Sequence, residues 1–118
     1  MKASELRIGN FIEFRHYTMG WSQPTVCEAW MIADCLKHPE SYRDILITEE
    51  WLLKFGFEYK IEPHYKTWKF INDVFYSYNY KGDFRWFSKV LPNIDKVKYV
   101  HQLQNLYFAL TGEELTLK

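Results

Sequence analysis

Phe57-Glu58-Tyr59-Lys60-Ile61-Glu62, Thr67-Trp68-Lys69-Phe70-Ile71, Val74-Phe75-Tyr76-Ser77-Tyr78-Asn79-Tyr80 and Phe84-Arg85-Trp86-Phe87-Ser88-Lys89-Val90 decide the fold. Each run alternates in steps of two, the period of a strand with one covered face. Aromatic and β-branched residues fill them, and such residues fit a pleated surface better than a helix. Pro63-His64, Asn72-Asp73 and Lys81-Gly82-Asp83 separate the runs. Four alternating runs joined by three turns predict an antiparallel meander.

Upstream, Ile47-Thr48-Glu49-Glu50-Trp51-Leu52-Leu53-Lys54-Phe55-Gly56-Phe57 predicts a short helix with both ends specified. Thr48 is a good N-cap. Glu49 and Glu50 place negative charge in the first turn, where the helix dipole favours it. Gly56 closes the helix, and Phe57 folds back on Leu52 as in a Schellman motif. Further back, Leu6 to Arg15 reads as a first strand, with Gly9-Asn10 permitting a bulge or turn. His16 to Pro24 reads as a loop. Thr25 to Leu36 reads as a second strand, its Ala-containing middle leaving a helical turn as the alternative.

Downstream, Pro92 ends the meander and Asp95 to Lys98 connects to a closing helix, Tyr99 to Gly112. Val100, Leu103, Leu106, Tyr107 and Leu110 form its apolar stripe. No charged residue lies between Lys98 and Glu113. His101, Gln104, Asn105 and Phe108 occupy positions where a surface helix would carry Lys and Glu. Most of the helix circumference is therefore expected to be covered, by the sheet or by a partner. The expected architecture is a single α+β domain over residues 1–118, in the order β-β-α-β-β-β-β-α. Its sheet is largely antiparallel, with the last helix packed on it.

The chain carries 15 basic and 15 acidic residues, so no global charge steers it to nucleic acid or to acidic membranes. Aromatics make up 19% of the residues, more than one small core should consume. Cys27 and Cys35 do not make a disulfide framework. The first residues lack an apolar signal core and no run reaches membrane-spanning length, so a soluble, cytoplasmic protein with free thiols is expected.

Three segments resemble a group of small uncharacterised proteins of phages, prophages and mobile elements in Bacteroides-like bacteria. These are Leu6 to Asn10, Leu46 to Phe57, and Tyr99 to Leu115, with its Tyr-Val-His-Gln-Leu-Gln-Asn-Leu-Tyr-Phe-Ala-Leu-Thr-Gly-Glu-Glu-Leu run. The resemblance brings no site residues. It implies a context: a small accessory protein of a bacterial host cell that binds a host or phage component.

Chemistry is thinly signalled, and no catalytic residue, cofactor or metal is expected. Cys27, Cys35, His38 and His16 do not make the two ligand pairs, each at two-to-four-residue spacing, of common zinc sites. No Gly-rich loop opens a helix, and no Ser sits in a nucleophile elbow. His101 as a base would need an orienting acid, and Glu113 and Glu114 lie three turns away along the helix. Packing of His101, Gln104 and Asn105 against backbone groups is the simpler reading.

Two binding functions remain. In the first, His101, Gln104, Asn105 and Phe108, or a row of exposed sheet aromatics, contact a protein partner or a second copy. In the alternative, Trp68, Lys69, Tyr76, Tyr78, Arg85, Trp86 and Lys89 form a stacking platform for single-stranded nucleic acid. Residues 54–98 hold nine basic against five acidic residues, which favours the alternative locally.

Overall fold

A computed structural model describes residues 1–16, 18–69, 75–80, 83–88 and 97–118. In strands 75–80 and 83–88 the side chains described are Ser77, Asn79, Phe84, Arg85 and Trp86. The sequence-predicted turns at Asn72-Asp73 and Lys81-Gly82, the strand end around Lys89, and the connector Asp95-Lys96 lie outside the described residues.

The protein is α+β, with antiparallel pairing throughout the described sheets. The chain forms two compact units, residues 1–46 with 99–106 and residues 47–98 with 107–118.

In the first unit, β1 (Phe11–His16) is the central strand. Three two-residue strands pair with it at successive positions: β2 (Gly20–Trp21), β3 (Thr25–Val26) and β4 (Tyr42–Arg43). Between β3 and β4 runs α1 (Ala29–Lys37). Met31 and Cys35, four residues apart on one face of α1, join Ala3, Leu6, Ile12, Cys27 and Tyr42 in the core.

The second unit opens with α2 (Glu49–Lys54). The Thr48 hydroxyl accepts the Trp51 N–H at 3.4 Å. Gly56 adopts φ 91°, and the Phe57 N–H donates to the Leu52 carbonyl at 2.9 Å. The cap is thus built as its sequence specifies. The meander follows as β5 (Glu58–Ile61), β6 (Lys66–Lys69), β7 (Phe75–Tyr80) and β8 (Asp83–Ser88), in sequential order. The closing helix α3 (Val100–Thr111) contributes residues 100–106 to the first unit and 107–111 to the second. Within the first unit it packs on β1, through Gln104 and Phe11.

Three expectations for the N-terminal region are corrected. Most of Thr25 to Leu36 is helix rather than strand. Only two residues extend to pair with β1, after which Ala29, Met31, Ala33 and Leu36 are good helix formers, and Met31 and Cys35 fall one turn apart on the buried face. Leu6 to Asn10 is a turn before β1, closed by the Asn10 N–H to the Arg7 carbonyl at 3.1 Å. Gly9 takes φ 98° there, which a side chain would strain. The stretch His16 to Pro24 is not all loop, because Gly20 and Trp21 pair back on His16 and Arg15. The strand Tyr42–Arg43 adds an element the sequence pattern does not announce.

Candidate functional site

The uncharged side of α3 has a definite role in the first unit. Gln104 is buried, and its amide completes the hydrogen bonding of the entry to β1. Its Oε1 accepts the Phe11 N–H at 2.8 Å and its Nε2 donates to the Gly9 carbonyl at 3.0 Å. At the next position, Asn105 Oδ1 accepts from Arg7 Nη1 and Asn10 Nδ2, each at 2.9 Å. Asn105 Nδ2 donates to the Glu5 carbonyl at 2.8 Å. Asn10 Oδ1 in turn takes the Arg7 N–H at 2.7 Å. Neutral amides suit this place because each both donates and accepts, whereas a Lys or Glu there would carry a buried charge.

His101 is 0% exposed. Its Nε2 lies 3.6 Å from Glu5 Oε2 and its Nδ1 lies 3.7 Å from Asp44 Oδ1. Neither ring nitrogen makes a hydrogen bond among the described residues. Tyr99 stacks on the ring at 6.2 Å between centroids. The carboxylates that flank His101 come from residues 5 and 44, not from Glu113 and Glu114. Arrival of Glu5 and Asp44 at this helix depends on the tertiary fold, and no local spacing signals it. The ring has no exposed surface through which to exchange protons with solvent.

Of the four residues expected to form a helix-face contact surface, His101 and Gln104 are therefore turned inside the first unit. Asn105 is half-buried and committed to the N-terminal turn. Phe108, in the second unit, is 41% exposed.

Cys27 and Cys35 are free and buried. Burial, first of all, pushes both thiols above their ordinary range, with Cys35 adding to the effect at Cys27 and Asp34 adding at Cys35. A thiol held protonated is a poor nucleophile. Among the described residues no three His, Cys, Asp or Glu side chains cluster as a metal site.

In the second unit the register sorts the meander into two faces. Tyr59, Trp68, Ser77 and Trp86 pair in one row. Trp68 is 1% and Trp86 2% exposed. Phe57 meets Trp86 edge-on at 6.0 Å, and Tyr59 lies 5.0 Å from Trp68. Burial removes Trp68 and Trp86 from the expected stacking platform, because their face carries the core of the unit. The alternate positions form two other rows, Glu58-Lys69-Tyr76-Phe87 and Lys60-Thr67-Tyr78-Arg85. Lys69 and Arg85 are exposed. Lys89 lies outside the described residues, as do the side chains of Tyr76 and Tyr78. A cleft of about 240 Å³ between Glu58, Lys60, Glu62, Thr67 and Lys69 falls below the usual size of a small-molecule pocket.

Strand β5 is exposed along its whole length. All four of its residues are exposed, including Tyr59 at 49% and Ile61 at 70%. Among the described residues no strand pairs with its outer edge. Comparison of the chain with protein-family models, with curated proteins and with solved structures returned no match. No helix among the described residues is long and apolar enough to cross a membrane.

Proposed function

We propose that this chain is a non-enzymatic interaction module, of the phage or mobile-element type its sequence resembles, that binds a protein partner or itself. The observation that carries the reading is the outer edge of β5, unpaired among the described residues, with Tyr59 and Ile61 exposed on it. An unpaired strand edge offers a row of backbone donors and acceptors that another chain can extend, and exposed aromatic and branched side chains supply affinity. The protonated buried thiols and the sealed His101 agree with a role that involves no bond-making.

Affinity capture from a host lysate, with and without nuclease, tests this. Protein partners that survive nuclease and disappear with Ile61→Lys support an edge-binding module. Partners captured equally by the Ile61→Lys variant would refute the role of β5.

A second reading rests on the other exposed feature of this unit. Lys69 and Arg85 are exposed, in register with Tyr76 and Tyr78 on the strand between them. Cations beside aromatics on an open sheet suit a single-stranded nucleic acid. Nucleic acid in the untreated eluate, reduced by Lys69→Ala and Arg85→Ala, would move this reading to first place.

A further inference from the structure

Given that β5 is a protein-recognition edge, we infer that its occupant is the same edge of a second copy, paired antiparallel with Tyr59 opposite Tyr59. The backbone sets which registers are open. The Glu62 N–H bonds the Tyr65 carbonyl at 2.9 Å across the β5–β6 turn. Hydrogen-bonded and non-hydrogen-bonded pairs alternate in an antiparallel ladder. Glu58, Lys60 and Glu62 therefore direct their backbone groups toward β6, and Tyr59 and Ile61 direct theirs outward.

Centring two edges on Tyr59 pairs the Tyr59 N–H and carbonyl with those of the second copy. The pairing stops at Phe57, whose N–H is bonded to Leu52 of its own chain. Side chains agree with this register. Glu58 falls opposite Lys60 of the second copy, twice over by the two-fold symmetry, and Tyr59 meets Tyr59. Both charges are exposed, and the ion pair of Lys60 with Glu62 in its own chain, at 3.4 Å, is a surface pair that exchange costs little.

The neighbouring registers are worse. Centring on Lys60 opposes two lysines and sets Glu58 against Glu62. Centring on Ile61 brings Tyr59 to Pro63, which has no N–H to give. A charge on an edge strand ordinarily blocks pairing. Here Glu58 two positions before Lys60 turns that block into a selector for one register. Four residues a side is less than the roughly 800 Å² per partner of a standard interface, so the dimer is weak and concentration-dependent.

Sedimentation of the full chain over a concentration series tests this, using wild type, Glu58→Lys, Lys60→Glu and an equimolar mixture of the two variants. Wild type should approach the mass of two copies as concentration rises. Each variant alone should associate roughly tenfold more weakly, because like charges then face each other at both symmetric pairs. The mixture should associate again. One chain then carries lysine at both positions and the other carries glutamate at both, so opposite charges meet at each pair. Rescue by mixing cannot come from misfolded chains. A wild type that stays at one copy at its highest soluble concentration overturns self-pairing, while the partner-capture test with Ile61→Lys still judges the edge itself. A dimer indifferent to Glu58→Lys, or variants that do not recover on mixing, also overturns it.

Discussion

The two units solve the same backbone problem by different means. Every buried N–H and carbonyl needs a partner. In the second unit four strands of four to six residues satisfy one another in a continuous ladder. Side chains are left free to build an aromatic row through Trp68 and Trp86. In the first unit β2, β3 and β4 are two residues long, and β1 touches each only briefly. The ladder runs out, and side chains of α3 finish the pairing. Among the described residues the long strands leave the β5 edge unused, whereas short strands use up a helix face. That contrast explains why the uncharged side of α3 is structural and why the open surface lies on the sheet.

The largest effect should come from breaking the aromatic row. Trp86→Ala should cost about 3–5 kcal/mol in chemical denaturation, with loss of amide protection concentrated in β6 to β8. Protection lost equally in both units would dissolve the contrast. Next, Gln104→Leu leaves the Phe11 N–H and the Gly9 carbonyl without their partner. It should cost about 1–3 kcal/mol and open the start of β1 first. His101→Leu should cost less, about 1 kcal/mol or below, because the ring makes no hydrogen bond to lose. If the same denaturation assay ranks it above Gln104→Leu, then His101 holds Glu5 and Asp44 as a charged partner.

Alkali sharpens the comparison further. Burial, and then the hydrogen bond to Asp34 at 2.7 Å, raise the Tyr42 hydroxyl well above its ordinary range. Cys27 and Cys35 are raised as well. All three are held in their neutral form by the folded first unit. Their contribution is complete below the unfolded values, about pH 8.5 for thiols and about 10 for tyrosine, and is lost as pH climbs through the raised folded values. NMR-monitored melting between about pH 7 and about pH 10.5 should show the first unit losing stability in wild type before it does so in Tyr42→Phe. The smallest effect expected is for Arg43→Ala, which removes an ion pair with Glu13 at 2.8 Å and a stack on Trp21 at 4.3 Å. Both are exposed enough that about 0.5–1 kcal/mol should register in the same assay.

The second unit is largely legible in the sequence and the first only partly, for the same physical reason. Strand alternation from Phe57 onward and the caps of α2 are local signals, written within a few residues of the elements they specify. So is the charge vacancy on α3, which marks a covered helix. What covers it is not local: Arg7, Asn10 and the backbone of Gly9 and Phe11 reach it across the chain. The β5 edge is not legible either, because an alternating run looks alike whether it has one neighbour or two. Only the sheet order tells an edge strand from a central one.

The amide clamp has a further consequence, in time rather than space. Its hydrogen bonds join residues 93 to 100 positions apart. A chain leaving the ribosome N-terminus first has made β1 and its turn long before Gln104 and Asn105 exist. The hairpins of the second unit, by contrast, close over short loops as they emerge. The first unit, though first to begin, therefore stays open across the synthesis of more than fifty intervening residues, until 99–106 arrive. Until its closing helix arrives, the start of β1 must be kept from other partners by the polar residues around it.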